Sequence, residues 1–212
     1  MKVIKIIILL TILCFALCNP IIIESLQTNT TIILMGDSIF KNNQYIKKGK
    51  SVEDRIKSLH KNTLVVAQDG AIIFDLIRQF KQIPEKYNKP TTTLFISIGG
   101  NDILHKYRFR STKDKNNLSR IIDNFQKLIL LFKSSCKCKI VLCTIYFPTA
   151  KLYHDYYPII NTWNHALERF AKKHNFKILP IADLLHKKQH FTHDIEPSSE
   201  GSQIICDNIL TM

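Results

Sequence analysis

The sequence predicts an α/β protein, a three-layer α/β/α sandwich around a central parallel sheet of about five strands. Three observations predict it. Short apolar runs recur along the chain, and they are continuous rather than alternating, as strands covered on both faces must be. Segments with apolar residues at helical spacing separate them. The runs end in glycine or in polar turn residues. The first strand is Thr31-Ile32-Ile33-Leu34-Met35, stopped by Gly36. Ser51 is placed to cap a helix through Ile56 and Leu59, since its hydroxyl can accept from a free first-turn N–H. Leu64 to Ala67 is the second strand, and Ile73, Leu76, Ile77 and Phe80 mark the next helix. Thr93 to Ile98 is the third strand, closed by Gly99 and Gly100. Leu118 to Phe132 is an amphipathic helix, and Ile140 to Ile145 the fourth strand. A helix from Ile159 to Lys173, a short strand from Phe176 to Ile181 and a helix from Ser198 to Leu210 complete the pattern. In such sheets ligands bind at the carboxyl ends of the strands.

A chain of 212 residues, 45% hydrophobic and 22% charged, has material for one domain whose core requires neither metal nor disulfide. The start is different in character. A basic Met1 to Lys5 precedes an apolar Ile6 to Leu17 that is too short to span a bilayer comfortably. Ala16 and Cys18 put small residues at the positions a signal peptidase reads. Residues 1–18 therefore read as a secretory signal peptide, and residues 19–212 as a single secreted domain with no stable membrane insertion after cleavage. An uncleaved anchor is the competing reading, and no longer apolar run follows to support it.

The formal net charge is +13, with lysines scattered from Lys41 to Lys188. This allows a weak attraction to anionic surfaces. No basic stretch is interleaved with aromatics, so no nucleic-acid partner is expected. Of six cysteines, Cys14 and Cys18 leave with the signal. In an oxidising compartment Cys136 or Cys138 is the candidate for a disulfide, while Cys143 sits in an apolar run and reads as a buried thiol. Cys136-Lys137-Cys138 is too tight for the usual zinc spacing, and no metal or organic cofactor is expected. Asn29-Thr30-Thr31 and Asn117-Leu118-Ser119 are glycosylation sequons, a weak pointer to secretion.

The chemistry-bearing residues fall at strand ends. Gly36-Asp37-Ser38 follows the first strand, where a hydroxyl can be presented to a ligand and activated by a neighbouring base. Asp69-Gly70 follows the second, leaving the Gly70 N–H open to an oxyanion. Gly99-Gly100-Asn101-Asp102 follows the third, and the Asn101 amide can donate to developing negative charge. Each alone reads equally well as a turn or a helix cap. Asp37, Gly100 and Asp102, beside these groups, are candidate substrate contacts.

Taken together and in this order, these blocks resemble the SGNH/GDSL hydrolases, named for the Ser, Gly, Asn and His of four sequence blocks. Ser38, Gly70 and Asn101 match the first three. The similarity runs over the whole mature chain. It includes Gly36-Asp37-Ser38-Ile39-Phe40-Lys41-Asn42, Cys143-Thr144-Ile145-Tyr146 and Ile195-Glu196-Pro197-Ser198, which are similar to the blocks of one branch of small proteins. The resemblance implies a flavodoxin-like SGNH fold and an esterase in which Ser38 attacks an ester carbonyl. The fourth block departs from the pattern. The family carries Asp-x-x-His-Pro there, and this chain has His193-Asp194-Ile195-Glu196-Pro197. Glu196 stands in the histidine's place and His193 in the aspartate's. A carboxylate of ordinary pKa is a poor base for a hydroxyl, and burial is what raises it. Glu196, with His193 as its support, is therefore the expected base. His190 is a further candidate, and Asp183-Leu184-Leu185-His186 a decoy that lacks the proline. The expected substrate is a small-molecule, glycan or lipid ester. A non-catalytic protein that binds an acylated glycan or lipid on the same scaffold is the alternative, decided by what base sits beside Ser38.

Overall fold

Continuous apolar runs can be buried on both faces only inside a layered sheet, and that is what they build. A computed structural model describes residues 30–106 and 113–212; the expected signal peptide lies outside the described residues. The strands are β1 (Thr31–Gly36), β2 (Thr63–Val65), β3 (Thr92–Ser97), β4 (Lys139–Cys143) and β5 (Lys177–Leu179). They pair in parallel in the order β2-β1-β3-β4-β5. The long register between β1 and β3 brings Gly36 opposite Ser97, so the first and third polar strand ends lie side by side.

The helices are α1 (Val52–Leu59), α2 (Asp75–Lys81), α3 (Lys113–Ser135), α4 (Tyr157–His174), α5 (Ile181–Leu184) and α6 (Ser199–Leu210). Alternation along each strand divides the core in two. Ile33 and Met35 of β1, Leu94 and Ile96 of β3, and Leu142 of β4 pack on one face against Leu76, Phe125, Ile129, Trp163 and Leu167 of α2, α3 and α4. Ile32 and Leu34, Phe95 and Val141 pack on the other against Val52, Ile56, Ile181, Ile205 and Ile209 of α1, α5 and α6. The three layers follow. Ser51 caps α1 as expected, accepting from Asp54 N at 2.9 Å, and Ser198 caps α6 from Gly201 N at 3.2 Å.

Two features depart from the expected pattern. The edge strands β2 and β5 are only three residues each, because they have a ladder partner on one side alone. Val66 and Ala67 leave β2 yet still donate to Leu34 O, at 2.9 and 3.1 Å. The second departure is an antiparallel hairpin of β6 (Phe191–Thr192) and β7 (Glu196–Pro197). Its turn holds His193 and Asp194 at φ 46° and 67°, the left-handed region that short polar residues tolerate best after glycine. This hairpin carries Glu196 to the carboxyl edge of the sheet.

Candidate active site

The Ser38 turn is set by what the end of β1 can tolerate. Gly36 has φ +135°, and a Cβ there would stand 1.7 Å from Ser97 O, so only glycine fits. Its backbone is gripped by a buried amide from α2: Gly36 N donates to Gln79 Oε1 at 2.7 Å and Gln79 Nε2 donates to Gly36 O at 2.8 Å. Gln79 thus acts as a missing strand neighbour. The next residue continues the fixation, with Asp37 N donating to Ser97 O at 3.1 Å. The chain then turns through Phe40 N to Asp37 O and Lys41 N to Ser38 O. An equivalent clamp holds the residues after β4, where Asn164 Oδ1 and Nδ2 bind Ile145 N and O at 2.8 and 2.7 Å.

Ser38 Oγ donates to Glu196 Oε1 at 3.1 Å across 158 positions of sequence. Both residues are buried, at 9% and 8% exposure, so the bond is made out of bulk water. Glu196 is pinned from both sides. Tyr146 OH donates to Ile195 O at 2.7 Å, and Asn42 Nδ2 to Pro197 O at 2.9 Å and to Ser202 Oγ at 2.8 Å. Asn42 Oδ1 in turn accepts from Val52 N at 3.1 Å, which ties the Ser38 loop, α1, α6 and the hairpin together. Burial pushes the Glu196 carboxyl up to about 7; the Ser38 hydrogen bond opposes the shift and the Asp69 charge adds to it. Glu196 Oε2 is buried with no protein partner. Asp37 is fully buried, its Oδ1 accepting from Ile39 N at 3.1 Å. Burial holds its carboxyl well above the usual range, and the Glu196 and Asp102 charges reinforce this.

Asn101 Nδ2 donates one hydrogen to Ala71 O at 3.0 Å, which brings the third strand end onto the Gly70–Ala71 turn and leaves its second hydrogen uncommitted. Among the described residues, neither Ser38 N nor Gly70 N donates to a protein acceptor. Ser38, Asp37, Gly100, Asn101 and Glu196 line one cavity of about 50 Å³. Gly70 does not line it; it is exposed on its turn at φ +71°.

The structure uses three other candidates differently. Asp102, expected as a substrate contact, is buried away from the cavity and accepts from Ile73 N at 3.0 Å, joining the Asn101 turn to the turn ahead of α2. His193 is exposed, since the left-handed turn swings it outward, and its ring lies 5.7 Å from that of Tyr45. His190 is buried, but its Nδ1 accepts from His186 N and Lys187 N while Nε2 faces Glu200. Neither histidine lines the Ser38 cavity. Asp183 and His186, the decoy pair, do not line the Ser38 cavity; the His186 ring meets the Asp183 carbonyl and the edge of His190. Cys136, Cys138, Cys143 and Cys206 are all free thiols, so the disulfide considered from sequence is not formed; Cys206 points its thiol at Val52 O and Cys138 at Tyr87 O. Among the described residues, no cluster of three His, Cys, Asp or Glu side chains is placed to hold a metal.

Gln79, Asn164 and Asn42 were not read as functional from sequence. Gln79 had a signal: it continues the Ile73, Leu76 row of α2, where a core-facing stripe demands an apolar residue.

The parallel sheet thus carries a serine at the end of its first strand, hydrogen-bonded to a buried carboxylate and sharing a cavity with an asparagine amide. The family follows from comparison. The chain belongs to the GDSL-like Lipase/Acylhydrolase family, whose model matches residues 34–204. By that membership it is an ester hydrolase. Solved structures share the fold. A lipolytic protein of the G-D-S-L family from Veillonella parvula superposes with a TM-score of 0.66 at 18% identity, over 86% of this chain and 97% of that one. An acetylxylan esterase from Geobacillus stearothermophilus gives 0.65 at 16%, over 87% and 95%. A GDSL-like lipase from Bacteroides thetaiotaomicron gives 0.64 at 15%, over 86% and 87%. Comparison with curated proteins gives no match.

Proposed function

We propose that the chain is a secreted serine esterase that hydrolyses a carboxylic ester of an acylated glycan or lipid through an acyl-Ser38 intermediate, with Glu196 as the base. The 3.1 Å hydrogen bond from Ser38 Oγ to Glu196 Oε1 carries this reading. A carboxylate held near neutral pKa can do the work usually given to imidazole, because the best base has a pKa close to the working pH. Secretion rests on the leader-like residues 1–18.

Ser38 Oγ attacks the ester carbonyl carbon while its proton passes to Glu196 Oε1. The carbonyl oxygen takes up the electron pair and is met by the Ser38 N–H and the second Asn101 amide hydrogen, donors with no competing protein acceptor. Collapse breaks the bond to the alcohol oxygen, which leaves with the proton from Glu196. Water then attacks the acyl-serine, giving its proton to Glu196, and the second collapse returns a proton to Ser38 and frees the carboxylic acid. A serine-to-alanine variant of the Geobacillus acetylxylan esterase is a catalytic mutant of that enzyme, which supports a serine mechanism on this fold.

The test is a fluorophosphonate probe, which labels only activated serines. Wild-type protein is expected to be labelled and Ser38→Ala not. Equal labelling of both, or none of the wild type under mildly alkaline conditions, refutes the proposal.

A further inference from the structure

We infer that the Ser38 site accepts an acetyl group and rejects longer acyl chains, with Leu104 as the wall that sets the limit. The inference rests on the esterase reading and narrows it. The cavity beside Ser38 has a volume of about 50 Å³. A cavity needs about 10–15 Å³ of such space to hold one water molecule, so this one takes a group of a few heavy atoms, the size of an acetyl, but not a chain. Apart from its polar edge at Asp37, Ser38, Asn101 and Glu196, it is walled largely by apolar side chains, as an acyl group requires.

The walls cannot easily retreat. Ile39, Ile103, Ile145 and Ile160 are buried, at 4%, 0%, 4% and 1% exposure. Ile39 belongs to the core on one face of the sheet and the other three to the core on the opposite face, so both layers wall the cavity. Interiors are close-packed, and pushing extra methylenes against them forces side chains off their rotamers. Leu104 is different. It sits in the π-helical turn Asp102–Lys106 directly after Asn101, only half-buried, and packs against the rim of the core. Shortening it opens the cavity outward without hollowing the interior. A long-chain lipid acyl group has no place here, whereas an acetyl ester of any alcohol does.

The experiment measures kcat/KM for p-nitrophenyl acetate, propionate, butyrate and octanoate. In wild type each methylene beyond acetyl is expected to lower kcat/KM about 10-fold or more, the usual penalty for a misfitting methylene. Leu104→Ala is expected to raise the butyrate-to-acetate ratio about 10-fold, and Leu104→Phe to lower the propionate-to-acetate ratio. The wild-type series stands even if a variant fails to fold. Rates that hold level or rise from acetate to octanoate overturn the inference while leaving the esterase reading intact. Hydrolysis of no ester at any length, with no fluorophosphonate labelling, removes the esterase reading and the inference with it.

Discussion

Glu196→Gln separates the catalytic from the structural consequences of burying a carboxyl. The side chain keeps its shape and Oε1 can still accept from Ser38 Oγ, but it can no longer ionise. In the fold the Glu196 carboxyl is raised from an ordinary 4.5 to about 7, with burial as the main cause. Each unit corresponds to 1.36 kcal/mol, so ionising Glu196 in the native state costs about 3 kcal/mol relative to the unfolded chain. The sign follows from a raised folded pKa. The contribution of protonated Glu196 to stability is fully present below the unfolded pKa of 4.5, falls as the pH rises above it, and is gone above about 7. The variant has no such loss. Urea unfolding of both proteins at about pH 4 and about pH 8.5 should show the variant gaining about 3 kcal/mol on the wild type between the two conditions. A stability difference that does not change with pH refutes the claim that Glu196 is held desolvated beside Ser38.

Other perturbations read separate parts of the site. Asn101→Ala should leave the fold intact and lower kcat about 100- to 1000-fold, the loss expected for one oxyanion donor; an unchanged rate on p-nitrophenyl acetate removes the amide from the mechanism. Gln79→Leu keeps the volume but strands the buried Gly36 N–H, so it should destabilise by about 1–3 kcal/mol in urea unfolding, and a neutral effect would mean the clamp is dispensable. His193→Ala should leave kcat/KM and its pH dependence as in wild type; a fall of about 100-fold would restore His193 to the base.

The central strands were legible because burial on both faces leaves a continuous apolar run. β1 and β3 were readable to within a residue, and the serine and asparagine turns could be placed at their carboxyl ends. The edges were less legible, since β2 and β5 are cut short by pairing on one side only. The β6–β7 hairpin was not legible at all. Two-residue strands carry no periodicity, and nothing local shows that Glu196 will travel 158 positions to meet Ser38. Only the likeness of Ile195-Glu196-Pro197-Ser198 to a family block pointed there. The same stretch misled for His193, because its spacing ignores the left-handed turn that sends the ring outward. The free thiols have a simpler cause: Cys143 and Cys206 are buried in the core, and side-chain reach cannot be read from sequence.

The most direct test of the Ser38–Glu196 pair is the pH dependence of kcat/KM for p-nitrophenyl acetate, which reports the base of the free enzyme. Wild type should rise through a single ionisation near 7, where burial holds the Glu196 carboxyl, and Glu196→Gln should lose the activity and the ionisation together while remaining folded. A profile that is flat across the neutral range, or a Glu196→Gln enzyme as active as wild type, contradicts the account.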